Sequence, residues 1–164
     1  MVQEHSKNTA DTAMNIFSAS IGIIYLWFGA LKFLHSYSPA EALALQTINK
    51  LTFNLLADNF SLLTLAVWEC FIGIALIFRL WMKPVLIIMF VHMFFTFAPF
   101  VFFPAVTFSH PPFGFSLVGQ YIMKNIVIIS GGYLLWQHFV KQPKTFVKQS
   151  FYAKQLKKQQ LQYN

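Results

Sequence analysis

Four apolar runs of about twenty residues each constrain this chain more than any other feature. They extend over about residues 14–34, 61–80, 84–103 and 117–139. A helix needs about twenty residues to cross roughly 30 Å of hydrocarbon, so each run can form one membrane span. Only 10% of the 164 residues are charged, against about a quarter in a soluble domain. The sequence therefore predicts an all-α integral membrane protein, a four-helix bundle formed by residues 1–140.

The chain between the first two runs has the pattern of an amphipathic surface helix. Ser38 and Glu41 have the spacing of a capping box, and Pro39 stands at the first helical position. Apolar residues then recur at helical spacing opposite amide side chains. The apolar positions are Leu43, Ala44, Ile48, Leu51, Leu55 and Leu56, and the amides are Gln46, Asn49 and Asn54. We expect a linker helix, with a lid over the bundle as the alternative.

Basic residues near the ends of the runs predict the orientation in the membrane. Arg79 and Lys83 flank the tight connection RLWMKP, which predicts an antiparallel hairpin of spans two and three. Six of the twelve basic residues lie in the tail 141–164. Because short basic segments stay on the cytoplasmic side, we expect both termini there, with residues 141–164 as a basic cytoplasmic tail. This tail can contact anionic lipids, and it carries no nucleic-acid-binding motif.

Polar residues inside the spans are the candidates for function, because each costs a few kcal/mol in hydrocarbon. They are Lys32, Glu69, His92, Gln120, Lys124 and Asn125. A rise of about 1.5 Å per residue places Glu69 roughly 12 Å and Lys124 roughly 10 Å below the same membrane face. Lys32 then lies above this level and His92 below it. We therefore expect a polar cluster centred on a Glu69–Lys124 pair, with Gln120 on the same helix face as Lys124.

Several of these residues also have a structural interpretation. A buried ion pair can fix helix register, Lys32 can extend its side chain to the interface, and His92 can be a satisfied core histidine. Pro99 removes a backbone hydrogen bond and is expected to kink the third span. Metal and haem sites are disfavoured, because a metal site needs three or four ligands and the histidines in or beside the spans lie at different depths. Those histidines are His35, His92 and His138.

Five sequence blocks together resemble the DoxX-like family of small membrane proteins. They are FGALKF, SPAEAL, VWECFIGIAL, HMFFTFAP and GQYIMKNIVII, in this order over about residues 14–139. The similarity is greatest to the branch of reactive-chlorine-resistance proteins, once catalogued as a domain of unknown function. The resemblance implies a four-helix integral membrane protein of the bacterial inner (plasma) membrane. It also implies site positions, which in this chain are Lys32, Glu69, His92, Gln120, Tyr121, Lys124 and Asn125.

The functions associated with that family lead to three expectations. Its relatives are linked to thiosulfate:quinone oxidoreduction, to oxidative-stress complexes and to receptor assembly. Cys70 is the only cysteine, so the chain has no cysteine redox pair, which argues against an autonomous thiosulfate oxidase. We expect a quinone-like small-molecule site in membrane redox or stress protection, without catalysis by the isolated chain. The alternatives are a non-catalytic assembly subunit, with a partner membrane or redox subunit or as a homo-oligomer, and thirdly a small transporter or proton path.

Overall fold

The protein is mostly helical in a computed structural model, which describes residues 2–34 and 41–141, with side chains from residue 9 onward. Eight α-helices, a terminal π-helix and one short hairpin make up this described part of the chain. The helices are α1 (Val2–Leu31), α2 (Glu41–Leu51), α3 (Asp58–Phe78), α4 (Met82–Thr96), α5 (Ala98–Phe102), α6 (Pro104–Thr107), α7 (Leu117–Met123) and α8 (Asn125–Leu135). The π-helix covers Trp136–Lys141, and the hairpin joins β1 (Phe108–His110) to β2 (Gly114–Phe115).

Three helical segments are long and apolar enough to cross a membrane. They are Thr9–Leu31, Asp58–Phe78 and Met82–Phe102, the last of which combines α4 and α5. Their outward faces carry exposed large apolar side chains such as Trp27 and Phe94. A water-soluble domain does not expose this much contiguous apolar surface. The three segments therefore indicate an integral membrane protein, and their bounds lie close to those expected from the first three apolar runs.

The fourth apolar run is helical in three consecutive pieces, α7, α8 and the π-helix. The Ser116 hydroxyl caps α7 by accepting a hydrogen bond from the Gly119 N–H at 3.1 Å. The helix is interrupted at Lys124, between α7 and α8. A fourth membrane span remains a prediction, because no single helix of this region has the length of a span.

The core lies where α1, α3, α4 and α8 meet. Each of these helices contributes buried apolar side chains to one cluster, represented by Ile21, Leu76, Met89 and Leu135. Trp136 and Val140 of the π-helix pack against the same cluster. Residues from the fourth apolar run are therefore part of the common core, although the run is not one continuous helix.

The contact between α1 and α3 is the closest one between long helices. A Cβ atom added to Gly22 would lie 2.7 Å from the carbonyl oxygen of Gly73, and one added to Gly73 would lie 2.6 Å from the backbone nitrogen of Leu26. Carbon atoms do not approach so closely, so both positions exclude any larger residue without a backbone shift. Ser18 adds a hydrogen bond, since its hydroxyl donates to the carbonyl oxygen of Leu76 at 2.8 Å. Small residues that let two backbones approach are typical of helix contacts in membranes.

The surface helix is shorter than its apolar pattern predicted. The helix α2 ends at Leu51, and Phe53 and Asn54 have left-handed φ angles of 54° and 57°. The Asn54 N–H donates to the carbonyl oxygen of Asn49 at 2.8 Å, which closes a left-handed turn at the helix end. Leu55 is consequently 83% exposed rather than on the packed face.

Several expectations fall on residues outside the described part of the chain. The capping residues Ser38 and Pro39, the residue His35 and the tail after Lys141 belong to this group. The helix α2 packs against α3 and α5. The segment between the first two apolar runs is therefore helical over Glu41–Leu51.

The loop after the third span differs from the all-α expectation. Its strands β1 and β2 pair antiparallel, with Phe108 opposite Phe115. The helix is interrupted at Phe97, because α4 ends at Thr96 and α5 begins at Ala98. Proline at the second position of α5 has no N–H to donate back along the helix, which accounts for the interruption, and the kink itself remains a prediction.

The close α1–α3 contact predicts that Gly73→Ala destabilises the protein. The added methyl group must displace the α1 backbone, and overpacking of this kind costs about 1–3 kcal/mol. Thermal unfolding of the purified protein in detergent should therefore begin at a lower temperature. Ile74→Ala is the matched control on the neighbouring, lipid-exposed position of α3. Equal stability of the two variants would contradict the interpretation of the α1–α3 contact.

Candidate functional site

Four polar side chains form a continuous chain between α1, α3 and α4. We call Tyr25, Lys32, Glu69 and His92 the polar cluster. The Lys32 ammonium lies 2.5 Å from one carboxylate oxygen of Glu69, and the other carboxylate oxygen lies 3.4 Å from Nε2 of His92. Nδ1 of His92 lies 3.1 Å from the Tyr25 hydroxyl. Each of the two Glu69 oxygens therefore has a different partner, and His92 connects Glu69 to Tyr25.

The polar cluster is buried although three of its members can carry a charge. Lys32 and Glu69 are each 7% exposed and Tyr25 is 4% exposed. An unpaired charge in such surroundings would cost several kcal/mol. The Lys32 ammonium also donates to the carbonyl oxygen of Phe28 at 3.3 Å. Mutual hydrogen bonding is what allows these four groups to stay away from water.

The imidazole of His92 can form a hydrogen bond with both of its neighbours in either protonation state. In the neutral form with the proton on Nε2, His92 donates to Glu69 and accepts from the Tyr25 hydroxyl. In the protonated form both ring nitrogens donate, and the Tyr25 hydroxyl becomes an acceptor. Protonation of His92 therefore keeps the bond to Glu69 and reverses the bond to Tyr25, whose O–H then has no acceptor among the described residues. This property distinguishes the cluster from a simple two-residue ion pair.

The backbone of α1 and α3 explains why Lys32 meets Glu69. The two helices are antiparallel, and a Cβ atom on Gly29 would lie 2.9 Å from the Cβ of Glu69 and from the backbone nitrogen of Cys70. Helical side chains lean toward the N-terminus of their own helix. Lys32 therefore leans back along α1, and Glu69 leans toward the start of α3. The two side chains approach each other from opposite directions.

The predicted Glu69–Lys124 pair is wrong. Among the described residues Glu69 forms its ion pairs with Lys32 and His92. Lys124 is exposed, and its ammonium lies 4.8 Å from the centre of the Tyr121 ring. It stands at the junction of α7 and α8. Counting residues along the helices predicted the same depth in the membrane for Glu69 and Lys124. It did not determine which helices are neighbours.

The other predicted residues of the fourth run also lie apart from the polar cluster. Gln120 is exposed and its amide donates to the carbonyl oxygen of Phe115 at 3.4 Å. Tyr121 is 61% exposed. The Asn125 amide donates to the Thr96 hydroxyl at 3.2 Å and so joins α8 to α4. Of the seven predicted positions, the structure brings together Lys32, Glu69 and His92.

Tyr25 is the member of the polar cluster that the sequence analysis missed. It precedes Lys32 by seven residues, which is two helical turns, so the two residues share one face of α1. The sequence feature that could have identified Tyr25 was its position in the middle of an apolar span. Tyrosines of membrane helices are usually at the interfaces, and a tyrosine far from them requires a buried partner.

Two other features lie outside the polar cluster. Asp11 and His138 approach to 3.1 Å and join the first part of α1 to the π-helix. No group of three or more His, Cys, Asp or Glu side chains suited to a metal occurs among the described residues. An apolar groove also lies on the outer faces of α3 and α4, and it is lined by Leu63, Thr64, Val67, Trp68, Phe71 and Ile88.

Comparisons with protein-family models, with curated proteins and with solved structures give no match for this chain. The site must therefore be interpreted from its own chemistry. That chemistry is a buried ammonium–carboxylate pair extended by a histidine and a phenol. Such a chain can hold an acidic or polar group beside Lys32 and can move a proton between Glu69, His92 and Tyr25.

The burial of the ion pair predicts that Lys32→Met destabilises the protein. Removal of one partner leaves the Glu69 carboxylate with His92 alone, and breaking a buried pair costs about 3–5 kcal/mol. The double variant Lys32→Met/Glu69→Gln should recover part of the lost stability, because the uncompensated charge is gone. The measurement is thermal unfolding in detergent. Lys124→Met is the control with the same change at an exposed lysine, and an equal loss of stability there would refute the pairing.

Proposed function

We propose that this chain is a membrane protein that binds the head group of a quinone-like small molecule beside Lys32 and exchanges a proton with it through the polar cluster. The observation that carries the proposal is the chain Lys32–Glu69–His92–Tyr25 within apolar helices. Intramembrane ionisable residues are rare and usually functional, because hydrocarbon makes them expensive. The resemblance to DoxX-like proteins, some of which are linked to quinones, is compatible with this proposal.

Lys32 is the residue best suited to contact the ligand. An ammonium group has three N–H donors, and among the described residues two of them have acceptors, Glu69 and the carbonyl oxygen of Phe28. The third can donate to a carbonyl oxygen of a ligand. Lys32 follows directly after the last residue of α1, and the next residues Phe33 and Leu34 are exposed. A ligand that arrives from the lipid along this end of the bundle would meet Lys32 before the deeper members of the polar cluster.

The proton would pass along the side chains already in contact. A quinone that is reduced takes up protons, and Glu69 and His92 stand in line behind Lys32 to supply one. Tyr25 closes the chain and keeps the second nitrogen of His92 hydrogen-bonded. The two electrons that the reduction consumes would come from a partner redox subunit, because the single cysteine of the chain cannot form a dithiol pair. The isolated chain is accordingly proposed as a binding and proton-exchanging subunit in membrane redox or stress protection.

The proposed arrangement in the membrane has four spans with both termini in the cytoplasm. The consecutive helical pieces from Leu117 to Lys141 are long enough together for the fourth span. Arg79 and Lys83 at the α3–α4 turn and Lys141 at the end of the π-helix are exposed. These cations would lie on the cytoplasmic side and contact anionic lipids there. The bacterial inner membrane is the proposed location.

The arrangement in the membrane is tested by the accessibility of introduced cysteines. In a Cys70→Ser background, Ser109→Cys in strand β1 of the hairpin and Lys83→Cys at the start of α4 both lie at exposed positions. A membrane-impermeant maleimide added to intact cells should label residue 109 and leave residue 83 unlabelled until the membrane is opened. Labelling of both positions from the same side would contradict a third span between them, and the reverse pattern would invert the orientation.

A non-catalytic membrane subunit is the second candidate function. It is favoured by one specific observation, namely that each of the four members of the polar cluster has a polar partner within a single chain. A cluster that only stabilises the bundle would have the same geometry. The two functions differ in their response to ligand, since only the first requires saturable binding that depends on Lys32.

The quinone proposal is tested by binding to the purified chain in lipid nanodiscs. A short-tailed benzoquinone should quench tryptophan fluorescence in a saturable manner, since Trp27 and Trp68 lie on the helices that carry the polar cluster. Lys32→Gln and Glu69→Gln should each weaken this binding about tenfold, the loss expected for one hydrogen bond to a charged group. Lys124→Gln is the matched control and should bind as the wild type does. Absence of saturation in the wild type, or equal affinities of Lys32→Gln and Lys124→Gln, would refute the proposal.

A further inference from the structure

Polar residues follow one another at seven-residue intervals along α1. They are Asp11, Ser18, Tyr25 and Lys32. A spacing of two helical turns places them on one face of the helix. The Asp11 carboxylate lies 3.1 Å from Nε2 of His138 in the π-helix, and the Ser18 hydroxyl bonds to α3. Tyr25 and Lys32 belong to the polar cluster. The polar face therefore extends along most of α1.

The two ends of the bundle carry one bonded histidine each. We call the end where α1 ends and α3 begins the α2 end, and the end where α3 ends and α4 begins the turn end. His92 lies in the polar cluster, whose member Lys32 directly follows the last residue of α1 at the α2 end. His138 lies at the turn end, because the π-helix packs against α4 beside Met82, the first residue of that helix. Each histidine can therefore exchange protons with its own side of the membrane.

An apolar layer lies between these two groups. Each helix that carries the polar cluster has a buried apolar residue one helical turn nearer the turn end than its cluster member. These residues are Ile21 on α1, Ile72 on α3 and Met89 on α4, and we call them the apolar seal. Ile72 and Met89 are 0% exposed and Ile21 is 4% exposed. All three belong to one packed core cluster, which continues toward the turn end with Leu76 and Leu135. A proton transfer between side chains requires hydrogen-bond contact, and the apolar seal offers none.

Ser18 does not bridge the apolar seal. It lies seven residues from Tyr25, or about 10 Å along α1, and its hydroxyl donates to the Leu76 carbonyl oxygen at 2.8 Å. This carbonyl belongs to the last turn of α3, where the Leu80 N–H donates to Ala75 instead. Ser18 therefore satisfies a carbonyl group that the helix end leaves without its usual partner. Its hydroxyl has a structural role.

The surroundings of the polar cluster are different toward the α2 end. A Cβ atom on Gly29 would lie 2.9 Å from the Cβ of Glu69, so α1 ends opposite the middle of α3. The first residue of α3 lies about 16 Å beyond Glu69 in this direction, and α2 packs against α3 there. The buried residues on this side include the hydroxyl side chains of Thr47 and Ser61. The chain also leaves the bundle beside Lys32, because Phe33 is exposed.

We propose that the apolar seal restricts the polar cluster to proton exchange with the α2 end, while the Asp11–His138 pair exchanges protons with the turn end. The inference rests on the proposed function in one respect, namely that the polar cluster takes up and releases protons. In the proposed orientation the α2 end faces the outside. Reduction of a bound quinone by two electrons from the partner subunit would then take both of its protons from the outside. Oxidation of the hydroquinone would return both protons there, and no proton would cross the membrane through the chain.

The direction of proton access is tested by infrared spectroscopy of the full chain in sealed vesicles. The Cys70→Ser/Ser109→Cys chain carries isotope-labelled histidine, and labelling by an impermeant maleimide identifies preparations in which residue 109 faces outward. The outer solution is changed from about pH 8 to about pH 5, the range in which an unperturbed histidine gains its charge. A trapped dye reports the inner pH. The band of protonated His92 should appear at once, and that of His138 only after a protonophore equalises the two solutions. The bands are identified by their loss in His92→Gln and in His138→Gln, which are matched substitutions.

Three results would overturn the apolar seal. They are a His92 band that appears only after the protonophore, a His92 band that never appears, and an inner pH that falls faster than in vesicles without protein. The last measurement needs no histidine variant. Quinone binding that depends on Lys32, together with a late His92 band, would retain the proposed function and refute the seal. An early His92 band in a chain that binds no quinone would support the seal and refute the proposed ligand.

Discussion

The close approach of α1 and α3 determines where the polar groups of this bundle can lie. Gly22 and Gly73 let the two backbones touch, and Gly29 does the same beside Glu69 and Cys70. At this separation a lysine at the end of α1 reaches a glutamate in the middle of α3. A larger residue at any of the three glycines would move the helices apart, and the ion pair would then have to lengthen or admit water. The close packing at these glycines is therefore a condition for the burial of the Lys32–Glu69 ion pair.

The polar cluster combines two properties that usually conflict. A buried charged network stabilises a structure only if its hydrogen bonds are complete, and completeness normally makes a network inert. His92 reduces this conflict, because its imidazole has a donor and an acceptor in the neutral state and two donors in the protonated state. Nε2 can donate to Glu69 in both states, and the Tyr25 hydroxyl donates to Nδ1 in the neutral state and accepts from it in the protonated state. A proton on His92 therefore changes one hydrogen bond of the network, the bond to Tyr25, and leaves the bond to Glu69 in place.

Much of the architecture could be predicted from the sequence, because hydropathy is a local property. The ends of the spans expected at 61–80 and 84–103 differ by one to three residues from those of the helical segments Asp58–Phe78 and Met82–Phe102. The composition of the site was harder to predict, since it depends on which helices are neighbours. Counting residues places Glu69 and Lys124 at the same depth in the membrane. However, α3 packs mainly on α1, and Glu69 therefore faces Lys32. Helical side chains lean toward the N-terminus of their own helix. This rule would have favoured Lys32 over Lys124 as the partner of Glu69 from sequence alone.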